Sequence, residues 1–98
     1  QIADFIMAAV NQIVSEAAKI RYRSNNDWTC PVTIRAPFGG GVHGAWYHSQ
    51  SVEARLANQP GLKIVIPSTQ YDAKGLLKAA TSDEDAVLFF KHKRAYRL

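Results

Sequence analysis

The sequence predicts an α/β fold, a parallel sheet with helices on both faces, and three observations predict it. Apolar runs of strand length alternate with segments of helical period, which implies parallel pairing through crossovers. Ala86-Val87-Leu88-Phe89-Phe90 is almost continuously apolar, as a strand covered on both faces must be. A composition of 47% hydrophobic and 20% charged residues over 98 suits one small globular domain. It excludes a disordered, collagen-like or coiled-coil chain.

The elements follow in order. Ile2, Phe5, Ile6, Ala9, Val10, Ile13, Val14 and Ala17 keep the i, i+3, i+4, i+7 spacing of one helix face, with Asn11, Gln12, Ser15, Glu16 and Lys19 opposite. Asp4 near its start and Lys19, Arg21 and Arg23 near its end suit the helix dipole. Ser24-Asn25-Asn26-Asp27 ends it. Val32-Thr33-Ile34 opens a strand running towards Pro37. Gly39-Gly40-Gly41 and Gly44 then make a loop, because glycine at this density loses too much backbone entropy to order as a regular element. Residues 51–58 read as a short helix with Ser51 as N-cap and Glu53 in the first turn. Pro60-Gly61 stops it. Leu62 to Ile66 is a strand ending at Pro67. Thr69 and Asp72 resemble a capping box, and Ala73, Leu76, Leu77 and Ala80 supply the next helix with its apolar face. Asp83-Glu84-Asp85 reads as a solvated turn before the last strand.

Three strands with buried-type sequences, and a first helix without a strand before it, make a small sheet with open edges that invite association. Together with a first residue, Gln1, that is not Met, this reads as the later part of a larger α/β domain, or as one that folds only with a partner.

No run approaches the roughly 18 apolar residues that span a bilayer. The one long apolar-rich segment carries Asp4, Asn11, Gln12 and Glu16, so no secretory signal is visible. A single cysteine, Cys30, rules out an internal disulfide and fits a reducing compartment. The net charge of +4 is concentrated late: Lys91, Lys93, Arg94 and Arg97 occur in the last eight residues with no acid among them. Such a tail serves as solvated surface, as a contact to an acidic subunit, or as a contact to nucleic acid.

Polar chemistry gathers in His43, Tyr47, His48, Ser49 and Gln50. His43 and His48 are five apart, which is not a helical ligand pair, and a zinc site with Cys30 lacks an acidic ligand nearby. Spacing leaves a Ser/His/Asp arrangement open, but the Gly-x-Ser-x-Gly elbow is absent. The glycine run is neither a Walker loop nor Gly-x-Gly-x-x-Gly opening a helix. Either histidine reads equally well as a hydrogen-bonded loop or core residue. Phe5 reads as core.

Several strings carry a family resemblance. They are Asp4-Phe5 followed by Asn11-Gln12-Ile13-Val14, Arg21-Tyr22-Arg23-Ser24, Val32-Thr33-Ile34-Arg35-Ala36-Pro37, and His48-Ser49-Gln50-Ser51 after a glycine-rich loop. Pro60 to Ser68 and Tyr71 to Leu77 complete the set. Together they resemble the beta subunit of thiamine-diphosphate-dependent 2-oxo acid dehydrogenases, the branched-chain (2-oxoisovalerate) type more than the pyruvate or acetoin type. The resemblance covers nearly all 98 residues. It implies a partial pyrimidine-binding domain over 1–98, transketolase-like, without its upstream strands and without the C-terminal transketolase-type domain.

The resemblance also implies an activity, oxidative decarboxylation of a 2-oxo acid with acyl transfer to lipoamide. The cofactor, thiamine diphosphate, is shared with an alpha subunit that supplies the magnesium site; the Gly-Asp-Gly…Asn motif for that task is absent here. Implied partners are the alpha subunit, a second beta subunit in a heterotetramer, a lipoyl-bearing acyltransferase and the 2-oxo acid, with no nucleic acid and no membrane. The implied location is cytoplasmic for a bacterial-type protein and the mitochondrial matrix for a eukaryotic one. By position, His48 matches the catalytic histidine of acyl transfer, an imidazole that exchanges protons near neutral pH. Phe5 and Gln1 match positions against the aminopyrimidine ring. Cys30, Val32, Thr33, Ala80, Asp83 and Asp85 match a monovalent-cation site, typically potassium, bound mostly by main-chain carbonyls.

Three departures stand out. The ring-activating glutamate lies upstream in the family and is not in this chain, so the 98 residues are expected to be inactive alone. The C-terminal domain is missing. Lys91 stands where Glu is common, and the cation position at Asp85 is commonly Asn. A reading from another class is a non-catalytic interaction module that uses its basic tail.

Overall fold

The computed structural model describes residues 2–97. Its centre is a three-stranded parallel sheet in the order β1-β3-β2. The strands are β1 (Thr33–Phe38), β2 (Lys63–Val65) and β3 (Val87–His92). Thr33 pairs with Val87 and Phe38 with His92 across one side of β3; Lys63 pairs with Val87 and Val65 with Phe89 across the other. The expected order of helices and strands, and the parallel pairing, are both present.

Side chains alternate across a strand, so β3 feeds two cores. Leu88 and Phe90 point to a face shared with Ala36 and Phe38, covered by Ala3, Ile13 and Ala18 of the N-terminal segment and by Val52 and Leu56. Val87 and Phe89 point to the other face, covered by Ala80 and Leu77 of the helix Gln70–Thr81 and flanked by Val65 of β2. Leu88 and Phe90 are completely buried. Each such side chain stabilises the fold by about 1.5–3 kcal/mol relative to exposure.

The N-terminal segment is helical, as its spacing predicts, but it is not one regular α-helix. A 3-10 run, Ala3–Ala9, leads into a π run, Gln12–Ala17, and then into α1, Ile20–Arg23. The change of pitch re-aims the apolar stripe. Three residues per turn bring Ala3 and Ile6 to the sheet and leave Phe5 outside, 49% exposed. The π run closes on a hydrogen bond from Ala18 N–H to the Ile13 carbonyl, 2.9 Å, five residues apart. Ala18, rather than Ala17, is therefore the fully buried partner of Ile13.

Two further expectations are corrected. Ser51 does not cap the next helix: α2 spans Glu53–Leu56, and its first turn follows Val52, which makes no side-chain cap bond. Burial of Val52 and Leu56 in the core holds this one turn in place of a cap. The last strand also runs on through Lys91 and His92, because Pro37 and Phe38 continue to pair beside them. The predicted cap is present: α3 (Gln70–Thr81) starts at Thr69, whose Oγ1 accepts from the Asp72 N–H at 3.1 Å and whose hydroxyl donates to Asp72 Oδ2 at 2.8 Å.

Candidate functional site

The two ends of the sheet carry different chemistry. At the carboxyl ends of the strands, the Phe5 ring and the His48 imidazole meet edge to face, centroids 5.7 Å apart. Tyr47 meets the other side of His48, centroids 4.9 Å apart. The Phe5 and Tyr47 rings are each about half exposed. The result is an open aromatic wall.

Sequence places these groups by three separate elements. Phe5 is turned outward by the 3-10 pitch of its segment. His48 ends a short 3-10 turn, Ala45–Tyr47, after the glycine loop. That loop leaves β1 at Gly39, where φ is +83° and a Cβ would lie 2.6 Å from the His92 Nε2. Gly39 is thus required for a close approach to the end of β3. Its N–H donates to the Gln50 carbonyl at 3.1 Å.

Residues 48–50 are held at both faces. The Gln50 N–H donates to Asp4 Oδ2 at 3.3 Å, and the Lys93 ammonium donates to the His48 carbonyl. Two buried polar atoms beside this network, Asp4 Oδ1 and His48 Nδ1, have no hydrogen-bond partner among the described residues. The half-exposed, flat and apolar ring surface of Phe5 and Tyr47 fits a heteroaromatic ligand. His43, the other loop histidine, is exposed and stands apart from the aromatic contacts of His48. Gln1 lies outside the described residues.

Asp4 and Lys93 were not identifiable as site residues from the sequence. Asp4 reads as a helix-dipole partner and Lys93 as one charge of a basic tail. The available signal was position alone, Asp4 beside Phe5 and Lys93 one residue past the last strand.

At the amino ends of the strands the expected cation residues come together. The Thr33 hydroxyl donates to the Ala80 carbonyl at 2.9 Å, the Val87 N–H donates to the Val32 carbonyl at 2.9 Å, and the Val32 N–H donates to the Cys30 carbonyl at 2.7 Å. The side chains of Asp83 and Asp85 are already engaged. Lys63 Nζ lies 2.7 Å from Asp83 Oδ1 and 3.2 Å from Asp85 Oδ2, and Arg21 reaches Asp85 Oδ1 at 3.2 Å and Glu84 at 3.3 Å. The Cys30, Val32 and Ala80 carbonyls thus already accept hydrogen bonds within the fold, and the Asp83 and Asp85 carboxylates are held by cations of the chain. Among the described residues no three His, Cys, Asp or Glu side chains gather as a metal ligand set. The turn is largely solvated, as it reads, and it also carries an ion-pair network that ties α1 and β2 to the residues leading into β3.

The hydrogen bond from Lys63 pulls the Asp83 carboxyl below its ordinary value of 3.8, and the hydrogen bond from Arg21 does the same to Asp85. A depressed folded-state pKa stabilises above the unfolded value and ceases to do so as pH falls through the folded one. Thermal unfolding followed by circular dichroism will therefore show an Asp83→Asn/Asp85→Asn variant less stable than the parent at neutral pH. The gap will close at pH values below the ordinary carboxylate range, about 4. A gap that persists there would contradict the ion-pair origin.

Two concavities lie away from the aromatic wall. One of about 710 Å³ lies beside Ala17 to Tyr22, Pro60, Gly61 and Asp85; another of about 400 Å³ lies between the start of α3 and the tail. Neither includes Phe5 or His48. No helix among the described residues is long and apolar enough to cross a membrane.

A family model described as the transketolase pyrimidine-binding domain matches residues 1–97. The chain is 83% identical over all its 98 residues to the 2-oxoisovalerate dehydrogenase subunit beta of Bacillus subtilis, of which it covers 30%. It is 50% identical over 97 residues to the pyruvate dehydrogenase beta subunit of the same species, again covering 30%. It is 53% identical over 98 residues to the mitochondrial 2-oxoisovalerate dehydrogenase subunit beta of Dictyostelium discoideum, covering 99% of this chain and 26% of that protein. The chain spans no more than 30% of the length of these relatives.

Proposed function

The chain belongs to the transketolase pyrimidine-binding domain family, and from that premise we propose that it forms one wall of a thiamine-diphosphate cleft in a branched-chain 2-oxo acid dehydrogenase. The carrying observation is the Phe5–His48 contact at the carboxyl ends of parallel strands, where α/β sheets bind ligands. The higher identity to the 2-oxoisovalerate relative, 83% against 50% for the pyruvate one, favours the branched-chain substrate over pyruvate or acetoin.

When bound, thiamine diphosphate supplies the carbon nucleophile and electron sink for loss of CO2 from the 2-oxo acid. This chain's residues act around it. Phe5 offers a flat apolar surface to the pyrimidine ring and excludes water from one face of it. Gln1 is the proposed polar neighbour. His48 holds and moves a proton as the acyl group passes to a lipoyl arm. An alpha subunit would hold the diphosphate and its magnesium, a second beta subunit would complete the heterotetramer, and a lipoyl-bearing acyltransferase would take the product. At the far end of the sheet, the oxygens of Cys30, Val32, Thr33, Ala80, Asp83 and Asp85 would hold potassium. The chain is proposed to be part of a larger domain, inactive by itself, and cytoplasmic in a bacterial-type host or in the mitochondrial matrix of a eukaryote.

The test is turnover of the complete subunit pair with 2-oxoisovalerate and with pyruvate. The branched substrate should be preferred. A tenfold or greater preference for pyruvate would overturn the branched-chain assignment.

A further inference from the structure

We propose that Lys93 is a positioning residue for His48: by donating to the His48 carbonyl, its ammonium fixes where the imidazole stands against Phe5. The proposal rests on the reading above, in which His48 serves acyl transfer.

A functional histidine is usually oriented through its second ring nitrogen. Here that route is not used, because His48 Nδ1 is buried with no partner among the described residues. Orientation must come through the main chain and through the edge contacts with Phe5 and Tyr47. The loop that delivers His48 cannot supply it alone. His43 and Ala45 both sit in the left-handed region, at φ 56° and 52°. Each costs about 1–2 kcal/mol for a residue with a Cβ, so this loop keeps its shape only when anchored at its end.

Three anchors hold residues 48–50, and each comes from a different element. Asp4 of the N-terminal segment accepts from the Gln50 N–H, the Gly39 N–H after β1 donates to the Gln50 carbonyl, and the Lys93 ammonium after β3 donates a hydrogen bond to the His48 carbonyl. Only the last bond acts on His48 itself. Lys93 directly follows β3 and opens a short 3-10 helix, Lys93–Arg97, so its main chain is held from both sides. It forms no salt bridge among the described residues, so its charge is directed at the His48 peptide instead of a carboxylate.

The experiment uses the assembled enzyme with Lys93→Met, which removes the donor and keeps most of the stem, and Lys93→Arg, which keeps a donor. Two rates are compared, reductive acylation of a free lipoyl domain and dye-coupled decarboxylation, which needs no lipoyl arm. For Lys93→Met the first should fall roughly tenfold further than the second, as expected when a reacting group is displaced by a fraction of an ångström. Lys93→Arg should recover most of that difference. A parallel fall in both rates would mark Lys93 as merely structural, and no fall in either would show that its bond does not position His48; both results overturn the proposal. A His48→Ala control that acylates normally would remove the underlying reading, and with it this one.

Discussion

Replacing Gly61 with alanine will destabilise the fold by about 3 kcal/mol or more, the sum of a left-handed residue and an overpacked contact. Gly61 has φ +84°, and a Cβ built there would lie 1.8 Å from the Ala18 carbonyl oxygen. That neighbour is backbone, so no rotamer change can make room. It is also the backbone of the turn that the π run delivers to the core, where Ala18 is 7% exposed. Relief requires separating the β2 entry from the N-terminal segment, which opens the larger core cluster. Gly75 provides the control. It lies inside α3 with nothing within 4 Å of its missing Cβ, so Gly75→Ala should be neutral or stabilising by about 1 kcal/mol. Thermal or urea unfolding of both variants decides the matter. Midpoints that move together would show that the Ala18 contact relaxes without cost.

Replacing His48 with alanine in the assembled enzyme will lower acyl transfer to lipoamide by about 10²- to 10⁴-fold, the usual range for a positioned acid–base group. Cofactor affinity should change far less, because the ring surface that His48 borders is supplied by Phe5. Phe5→Ala should show the opposite emphasis, weakening cofactor binding first. Calorimetric titration of thiamine diphosphate beside the lipoyl assay separates the two. Equal losses of binding and transfer in His48→Ala would contradict a role in the transfer step.

What could be read in advance divides along physical lines. The parallel α/β arrangement was legible because strand and helix periods alternate cleanly and because residues 86–90 leave no polar face. The pitch of the first segment was not. A spacing of i, i+3, i+4 fits an α-helix and a mixed 3-10 and π segment almost equally well, and only packing against the sheet selects between them. Ser51 is a good cap residue locally, but Val52 wins a core position and sets the start of α2. The pairing of Phe5 with His48 joins residues 43 apart, which no periodicity links; family resemblance suggested it and the geometry brings the rings together. Lys93 was indistinguishable from its basic neighbours until the end of β3 placed it beside the loop.

β3 alone has neighbours on both sides, and its six residues run from the ion-pair network to the aromatic wall. The hydrogen-exchange behaviour follows from this. Successive N–H groups of β3 point to opposite neighbours, so Leu88 and Phe89 are released together only when both flanking pairings part, and as a pair they should be among the slowest to exchange. An opening large enough to release them must loosen both extremities of the strand in one event, so that a tremor in this central rung is shared by two places that never touch.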